Sequence, residues 1–201
     1  MKANFLRPLA STLAALALSA AAQAATTLEN LNQAFAGESN AANRYAAFAQ
    51  KADAEGYPQV ATLFRAAAKS EQIHRERHRS AIKKLGGTDA DAKLDALNVG
   101  TTAENLRAAI AGESYERDTM YPAFIAQAKA DDARAAVRTL NAAMSAEKEH
   151  AKLFQQALDT LGQQTTTEYY VCRDCGYTVT HRPTKECPVC REDPDKFQKI
   201  N

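Results

Sequence analysis

The feature that most limits how this chain can fold is a pair of acidic motifs, each occurring twice within apolar helical stripes. Four segments space their apolar residues three and four positions apart, which predicts amphipathic helices, and each stripe carries a glutamate where a hydrophobe is expected. The Ala-Gly-Glu-Ser motif at Glu38 recurs at Glu113, 75 positions later, and the Glu-x-x-His motif that begins at Glu71 recurs at Glu147, 76 positions later. Such a repeat indicates a duplicated helical hairpin with a pseudo-two-fold axis between its copies.

The connections between the four segments indicate the type of bundle. The first and third segments are followed by short joints, whereas the second and third are joined by the stretch from Gly87 to Gly100. Two antiparallel hairpins joined by one long crossover are typical of ferritin-like four-helix bundles. We therefore expect a mainly α protein, with this bundle over residues 26–162, a polar linker over 163–168 and a small C-terminal domain over 169–201.

Glutamates buried in an apolar bundle require positive charge. An ionised carboxylate is costly to bury unpaired, and among Lys and Arg residues Arg117 alone falls at a matching core position. A pair of iron ions would supply the charge, and the i, i+3 spacing of each Glu-x-x-His places both side chains on one helix face. The predicted di-iron ligands are Glu38, Glu71, His74, Glu113, Glu116, Glu147 and His150. The repeat places Ala41 opposite Glu116, so one metal has a spare carboxylate that could exchange as the metal's charge changes.

Four other residues lie near these ligands in the helical pattern. Tyr45 and Tyr121 are either core aromatics with satisfied hydroxyls or hydrogen-bond donors to ligand carboxylates or to peroxide in the pocket. His78 lies on an inward stripe but has no counterpart in the duplicate half-site, so we expect it to fill the core or support a ligand. Pro122 removes a backbone donor inside the third helix and predicts a kink or bulge close to the site.

The cysteines form a second candidate metal site. They occur as two Cys-x-x-Cys pairs, which fit a tetrahedral sulfur site, whereas paired disulfides are the rival interpretation for an exported protein. We favour metal because Gly176 and Pro188 suit tight turns that direct backbone N–H groups at sulfur. Spacing does not separate iron from zinc. The predicted ligands are Cys172, Cys175, Cys187 and Cys190.

The N-terminal segment predicts export. Basic residues precede an apolar stretch from Leu9 to Ala22, and an Ala-Gln-Ala sequence ends at Ala24. We expect residues 1–24 to be a signal peptide cleaved after Ala24, which would leave a periplasmic protein without a membrane span. An uncleaved anchor is the alternative, but the apolar run is shorter than the roughly 20 residues that cross a bilayer. The formal net charge of +1, with scattered Lys and Arg, argues against nucleic-acid binding.

Together these motifs resemble those of the rubrerythrins over about residues 26 to 201. The resemblance rests on Gly-Glu-Ser, Glu-Gln-Ile-His, Gly-Glu-Ser-Tyr-Glu, Met-Tyr-Pro, Glu-Lys-Glu-His and the two cysteine pairs. It implies a di-iron peroxidase of oxidative-stress defence that reduces hydrogen peroxide to water. It also implies that residues 169–201 form a rubredoxin-like domain, in which electrons would enter through one iron held by the four cysteines.

The resemblance also implies roles for individual residues and partners. Glu71 or its partners would bridge the irons, Tyr45 and Tyr121 would line the pocket, and one iron would move between Glu116 and His74 as its redox state changes. A head-to-tail homodimer and an electron-donor protein are implied, and the donor's identity stays open because NADH-fed reductases do not work in a periplasm. The alternatives are a ferroxidase or iron-handling protein of ferritin type, and a zinc-containing binding module without turnover.

Overall fold

A computed structural model describes residues 25–88, 92–163 and 166–201, so the predicted signal peptide lies outside the described residues. The helices are α1 Thr27–Ala54, α2 Pro58–Lys84, α3 Thr102–Tyr115, a π-helical segment Glu116–Met120, α4 Tyr121–Ala130 and α5 Arg134–Asp159. Within these described ranges, no helix combines the length and the apolarity that a membrane crossing requires.

The helices form the predicted ferritin-like four-helix bundle. The first hairpin consists of α1 and α2, and the second consists of α3, the π-helical segment and α4 packed against α5. The connection that leads into α3 has no helix or strand over its described residues 92–101, and the backbone N–H of Asp95 ties it to Asn40 on α1. The predicted fold class, with its long crossover, is therefore confirmed.

The internal repeat extends to the helix starts. Thr26 caps α1 through a capping box with Glu29, and Thr101 caps α3 through the same box with Glu104. In each box the threonine hydroxyl accepts from a backbone N–H and the glutamate accepts from the threonine N–H, which satisfies two otherwise unpaired donors. Each hairpin therefore begins with the same local signal.

Two apolar cores lie on either side of an acidic band in the bundle. One contains the aromatic rings of Tyr45, Phe48, Phe64 and Phe154, whose neighbouring centroids lie 5.1 to 6.2 Å apart. The other is built around Leu31 of α1 and buried residues of α2, the π-helical segment, α4 and α5. Burial of each large apolar side chain stabilises the fold by roughly 1.5–3 kcal/mol, which offsets the cost of burying carboxylates between the cores.

The π-helical segment accommodates one extra residue in the third helix of the bundle. Glu38 and Tyr45 are seven residues apart in α1, whereas Glu113 and Tyr121 are eight apart. Seven residues make about two α-helical turns, so the eighth must be absorbed by a wider turn if both tyrosines are to face the site. The bulge predicted from Pro122 is confirmed, but its cause is this extra residue, since Pro122 lies in the first turn of α4.

The C-terminal module is a small antiparallel sheet that packs along α2. Its strands are β1 Tyr169–Cys172, β2 Thr178–Val179 and β3 Phe197–Ile200, in the order β2-β1-β3, with a 3-10 turn at Pro194–Lys196. Tyr169 and Val171 of β1 belong to the same apolar cluster as residues of α2, and polar contacts are spread along the helix. They join Gln59 to Thr167, Arg65 to Asn201, Ser70 to Gly176 and Arg77 to Asp174.

Candidate metal centres

Six of the seven predicted di-iron ligands meet at the centre of the bundle. Every one of them is at most 2% exposed, and each bundle helix that carries a motif contributes at least one. The six are Glu38 from α1, Glu71 and His74 from α2, Glu113 from α3, and Glu147 and His150 from α5. Their ligand atoms form two overlapping groups, each with atoms within 4.8 Å of one another.

Glu71 and Glu147 belong to both groups and join them. Oε2 of Glu71 lies 2.9 Å from Nδ1 of His74, and its Oε1 lies 3.1 Å from Nδ1 of His150. Glu147 also lies between the two histidines, with Oε1 3.1 Å from Nδ1 of His74 and Oε2 3.0 Å from Nδ1 of His150. Each carboxylate therefore offers one oxygen to each half-site, as a bridging ligand must. Glu38 and Glu113 each belong to a single group, as terminal ligands would.

The cluster is short of hydrogen-bond partners in a way that fits metal ions. Among the residues that the structure describes, both oxygens of Glu71 and of Glu147 are buried without a hydrogen bond, as are Oε2 of Glu38, Oε2 of Glu113 and Nδ1 of His74 and of His150. A buried polar atom without a partner costs about 1–3 kcal/mol, more when charged. Two cations among these atoms would satisfy them, and mixed carboxylate and imidazole donors suit iron.

In the metal-free protein, bound protons compensate part of the negative charge of the buried carboxylates. Burial raises the pKa of Glu71, and burial together with the charge of Glu71 raises the pKa of Glu147 to about 8. Burial alone would lower the pKa of His74 and His150, but the carboxylates around them raise both well above the ordinary value. The metal-free cluster therefore holds extra protons near neutral pH, and metal binding would release them.

Glu116 stands outside both groups. It lies at the start of the π-helical segment and is less enclosed than the other six residues. A Cβ added at Gly37 would lie 3.9 Å from Oε1 of Glu116, which places this carboxylate on the Glu38 side of the cluster. Burial and the neighbouring carboxylates, Glu38 foremost, raise its pKa well above the ordinary value. The structure thus places a spare carboxylate beside one of the two groups.

The two tyrosines donate hydrogen bonds across the pseudo-two-fold axis. Tyr45 of α1 donates to Oε1 of Glu113, and Tyr121 of α4 donates to Oε1 of Glu38. Both hydroxyls are buried, and burial together with the carboxylates raises the pKa of both phenols well above the ordinary value, so they keep their protons. Of the two interpretations open from the sequence, the structure favours donation to the ligand carboxylates.

His78 supports this arrangement rather than joining it. Its Nε2 lies 3.3 Å from the hydroxyl of Tyr121 and 3.6 Å from Oε1 of Glu38, outside both ligand groups. Burial lowers the pKa of His78, so it is neutral at pH 7. Burial alone would raise the pKa of Glu38, but the neighbouring imidazoles of His74 and His78 hold it below its ordinary value.

The outer edges of the two central histidines face the C-terminal module, which the sequence did not predict. Nε2 of His150 lies 3.0 Å from the hydroxyl of Thr178. That hydroxyl donates to the carbonyl of Gly176 at 3.5 Å, so its oxygen accepts from the imidazole. Gly176 packs directly on His74, whose Nε2 has no hydrogen-bond partner among the described residues. No local signal marks these contacts, because they depend on where the module lies on the bundle.

The four cysteines converge as predicted. The sulfurs of Cys172 and Cys190 lie 3.7 Å apart and those of Cys175 and Cys187 lie 3.6 Å apart, and all four are free thiols. A metal with four sulfurs at about 2.3 Å places them about 3.8 Å apart, so these separations fit a tetrahedral site and not disulfides. Hydrogen bonds from neighbouring thiols and backbone N–H groups lower the pKa of Cys187 to about 2. The four cysteine sulfurs and six of the seven bundle residues are therefore arranged as metal-binding groups.

Comparison with known proteins gives one family. The family model described as rubrerythrin matches residues 29–158. Rubrerythrin-2 of Clostridium acetobutylicum is 36% identical over 87% of this chain and 96% of its own. The nigerythrin of Nitratidesulfovibrio vulgaris is 33% identical over 86% of this chain and 85% of its own.

Solved structures give the same result for the fold. The fully reduced, all-ferrous state of nigerythrin has a TM-score of 0.82 at 32% identity and covers 90% of this chain and 90% of its own. A bacterioferritin of Mycobacterium tuberculosis, BfrA, has a TM-score of 0.61 at 24% identity and covers 66% of this chain. That second likeness extends to the fold alone.

Proposed function

The chain belongs to the rubrerythrin family, and on that basis we propose that it is a non-haem di-iron peroxidase that reduces hydrogen peroxide to water. The bundle ligands would hold two ferrous ions, which would supply the two electrons that cleave the O–O bond, and two protons from solvent would complete two water molecules. A cysteine-bound iron would return the electrons singly. The residues of the chain hold the metals, exclude bulk water and fix the tyrosine protons beside the site.

One observation supports turnover over storage. Thr178 and Gly176 of the cysteine module touch the outer edges of His150 and His74, the two imidazoles of the bridged site. This contact gives electrons a short covalent and hydrogen-bonded route from Cys175 to the bundle. An iron-storing protein needs no such route, so a ferroxidase function would not account for the cysteine module.

The two half-sites also differ in how firmly their histidines are held, and a loosely held histidine would allow one metal to exchange a ligand. His150 is anchored by Thr178, whereas Nε2 of His74 has no hydrogen-bond partner within the described ranges. Glu116 lies on the same side as His74, beside Glu38. We assign the redox-linked exchange to Glu116 and His74, because the untethered imidazole and the spare carboxylate serve the same metal.

Anaerobic stopped-flow mixing of the reduced protein with peroxide tests the proposal. We expect fast stoichiometric reoxidation, with repeated turnover when a rubredoxin-type donor is supplied. Cys172→Ser should keep the first reoxidation and lose donor-dependent turnover. Slow reoxidation of the wild-type protein by peroxide, with fast oxidation of added ferrous iron by oxygen, would instead identify the ferroxidase.

Two carboxylate variants test the assignment within the site. Glu116→Ala should retain both irons but slow turnover, because Glu116 lies outside the two ligand groups. Glu147→Ala should lose metal, because Glu147 offers an oxygen to each half-site. Equal metal loss in both variants would contradict the special role of Glu116.

We also propose that the mature protein is periplasmic and homodimeric, with iron rather than zinc in the cysteine site. Cell fractionation with N-terminal sequencing tests cleavage after Ala24, and sedimentation equilibrium tests the dimer. Metal analysis with visible absorption tests the cysteine site, because a ferric tetrathiolate is red and a zinc one is colourless. The electron donor would then have to be a protein of the same compartment.

A further inference from the structure

A buried chain of hydrogen bonds leads to the Tyr121 hydroxyl. Nε2 of His78 lies 3.3 Å from the Tyr121 hydroxyl, and Nδ1 of His78 lies 3.1 Å from the hydroxyl of Thr139. His78 is 0% exposed and Thr139 is 4% exposed, so both side chains are shielded from bulk water. The chain therefore runs from α5 through α2 to α4 and ends at Glu38 on α1.

The direction of each proton in this chain follows from its last acceptor. Ionised Glu38 can only accept, so the one hydroxyl proton of Tyr121 points to it. The phenol oxygen then needs a donor, and Nε2 of His78 is the ring nitrogen that faces it. With the ring proton on Nε2, Nδ1 accepts from the hydroxyl of Thr139, which lies 3.1 Å away. All donors in the chain point toward Glu38.

Within the described part of the protein, the other half-site has no such hydrogen-bonded chain. Across the 76-residue repeat, His78 corresponds to Phe154 and Thr139 corresponds to Leu63. Both are fully buried in the apolar cluster that contains Tyr45, and the ring of Phe154 lies 5.3 Å from that of Tyr45. Phe154 and Leu63 can hold the ring of Tyr45 in place, but neither can donate to its hydroxyl.

We propose that His78 and Thr139 are positioning residues for the metal bound by Glu38 and His74, and that they make the two metal positions inequivalent. A hydroxyl that accepts a hydrogen bond donates a stronger one. Tyr121 therefore withdraws more charge from Glu38 than Tyr45 withdraws from Glu113. The inference rests on the proposed di-iron site but not on peroxide as its substrate.

The weaker charge donation has a defined electrochemical consequence. A ligand carboxylate that gives less charge to its metal favours the ferrous over the ferric state, since hydrogen bonds to ligands tune metal potentials. The position next to Glu38 and His74 should therefore be reduced first. Glu116 lies beside the same position. The spare carboxylate of Glu116 and the weaker charge donation from Glu38 therefore act on the same metal.

The proton positions can be read directly by nitrogen NMR. The zinc-substituted full-length protein, labelled with ¹⁵N in its four histidines, gives few enough signals to assign. We expect His78 to carry its proton on Nε2, and Thr139→Val to move the Nδ1 signal toward that of a nitrogen without a hydrogen bond. Thr62→Val is the control, since the Thr62 hydroxyl bonds to the carbonyl of Pro58 far from this chain. A proton on Nδ1, or no response to Thr139→Val, would overturn the proposal.

Potentiometry of the iron protein tests the consequence. His78→Leu should lower the higher of the two reduction potentials of the di-iron site, and His78→Gln, whose amide can donate to Tyr121, should restore it. Phe154→Leu, at the equivalent place in the other half-site, should leave that potential where it is. Unchanged potentials in His78→Leu would refute the positioning role, and Thr139→Val serves if His78→Leu does not fold. Peroxide turnover is not measured, so a failure of the proposed peroxidase function would leave this result intact.

Discussion

Substitution of Gly176 by alanine tests the contact between the cysteine module and the bundle. Gly176 has a φ of +82°, in the left-handed region, which costs an alanine about 1–2 kcal/mol. Its added Cβ would lie 2.7 Å from Cδ2 of His74, closer still to Nε2, and 3.0 Å from the hydroxyl of Ser70. The loop must therefore lift away from α2.

The size of the effect follows from the contacts that lifting breaks. Ser70 donates to the carbonyl of Gly176 at 2.5 Å, and Thr178 bonds to His150 at 3.0 Å. Each bond contributes about 1 kcal/mol, so the variant should lose about 2 kcal/mol beyond its backbone strain. For a chain of this length that additional loss corresponds to about 4–8 °C in the unfolding midpoint.

The chain offers a matched control at the end of α1. Gly56 has a φ of +81°, and no atom of the described residues lies within 4 Å of an added Cβ, so Gly56→Ala carries the backbone strain without the collision. Calorimetry of both variants separates the two contributions, and stopped-flow reduction of the di-iron site through the cysteine iron should slow only in Gly176→Ala. Equal midpoints and wild-type reduction in both variants would show that Gly176 does not pack on His74 in solution.

Three further outcomes follow from the site. The metal-free protein should lose stability as pH rises from about 4.5 to about 8, because folded Glu147, with a pKa of about 8, keeps a proton that the unfolded chain has released; denaturant titrations across this range would check it. Tyr45→Phe should lower the free energy of unfolding by roughly 1.5–3 kcal/mol, because it removes the hydroxyl that donates to the Glu113 carboxylate. Equal unfolding free energies for the two proteins would contradict this hydrogen bond. Arg77→Ala should cost at most about 1 kcal/mol, because its ion pair with Asp174 is partly exposed, which a double-mutant cycle can measure.

The repeat made much of the site predictable from sequence. Because a glutamate on an apolar stripe has few structural uses, Glu38 and Glu113 stood out, and the Glu-x-x-His pairs fixed the other half of each group. The cause of the π-helical segment was also readable, since the tyrosines are spaced seven and eight residues from their glutamates.

Contacts between distant segments could not be predicted in this way. Ser70 and Gly176 are 106 residues apart, and either would pass for an ordinary helix or turn residue. Thr139 is equally inconspicuous, because a threonine in a helix usually bonds to its own backbone, and only the packing of α5 against α2 brings it to His78. These residues act through placement rather than through local pattern.

The crossed tyrosines mean that neither hairpin carries a complete site. Tyr45 reaches from the first hairpin to Glu113 of the second, and Tyr121 reaches back to Glu38. A polypeptide of half this length, with one hairpin, could reproduce the same arrangement only by pairing with its own copy. Joining the two copies in one chain freed them to diverge, and the extra residue before Tyr121 is a change that an identical pair could not have confined to one side.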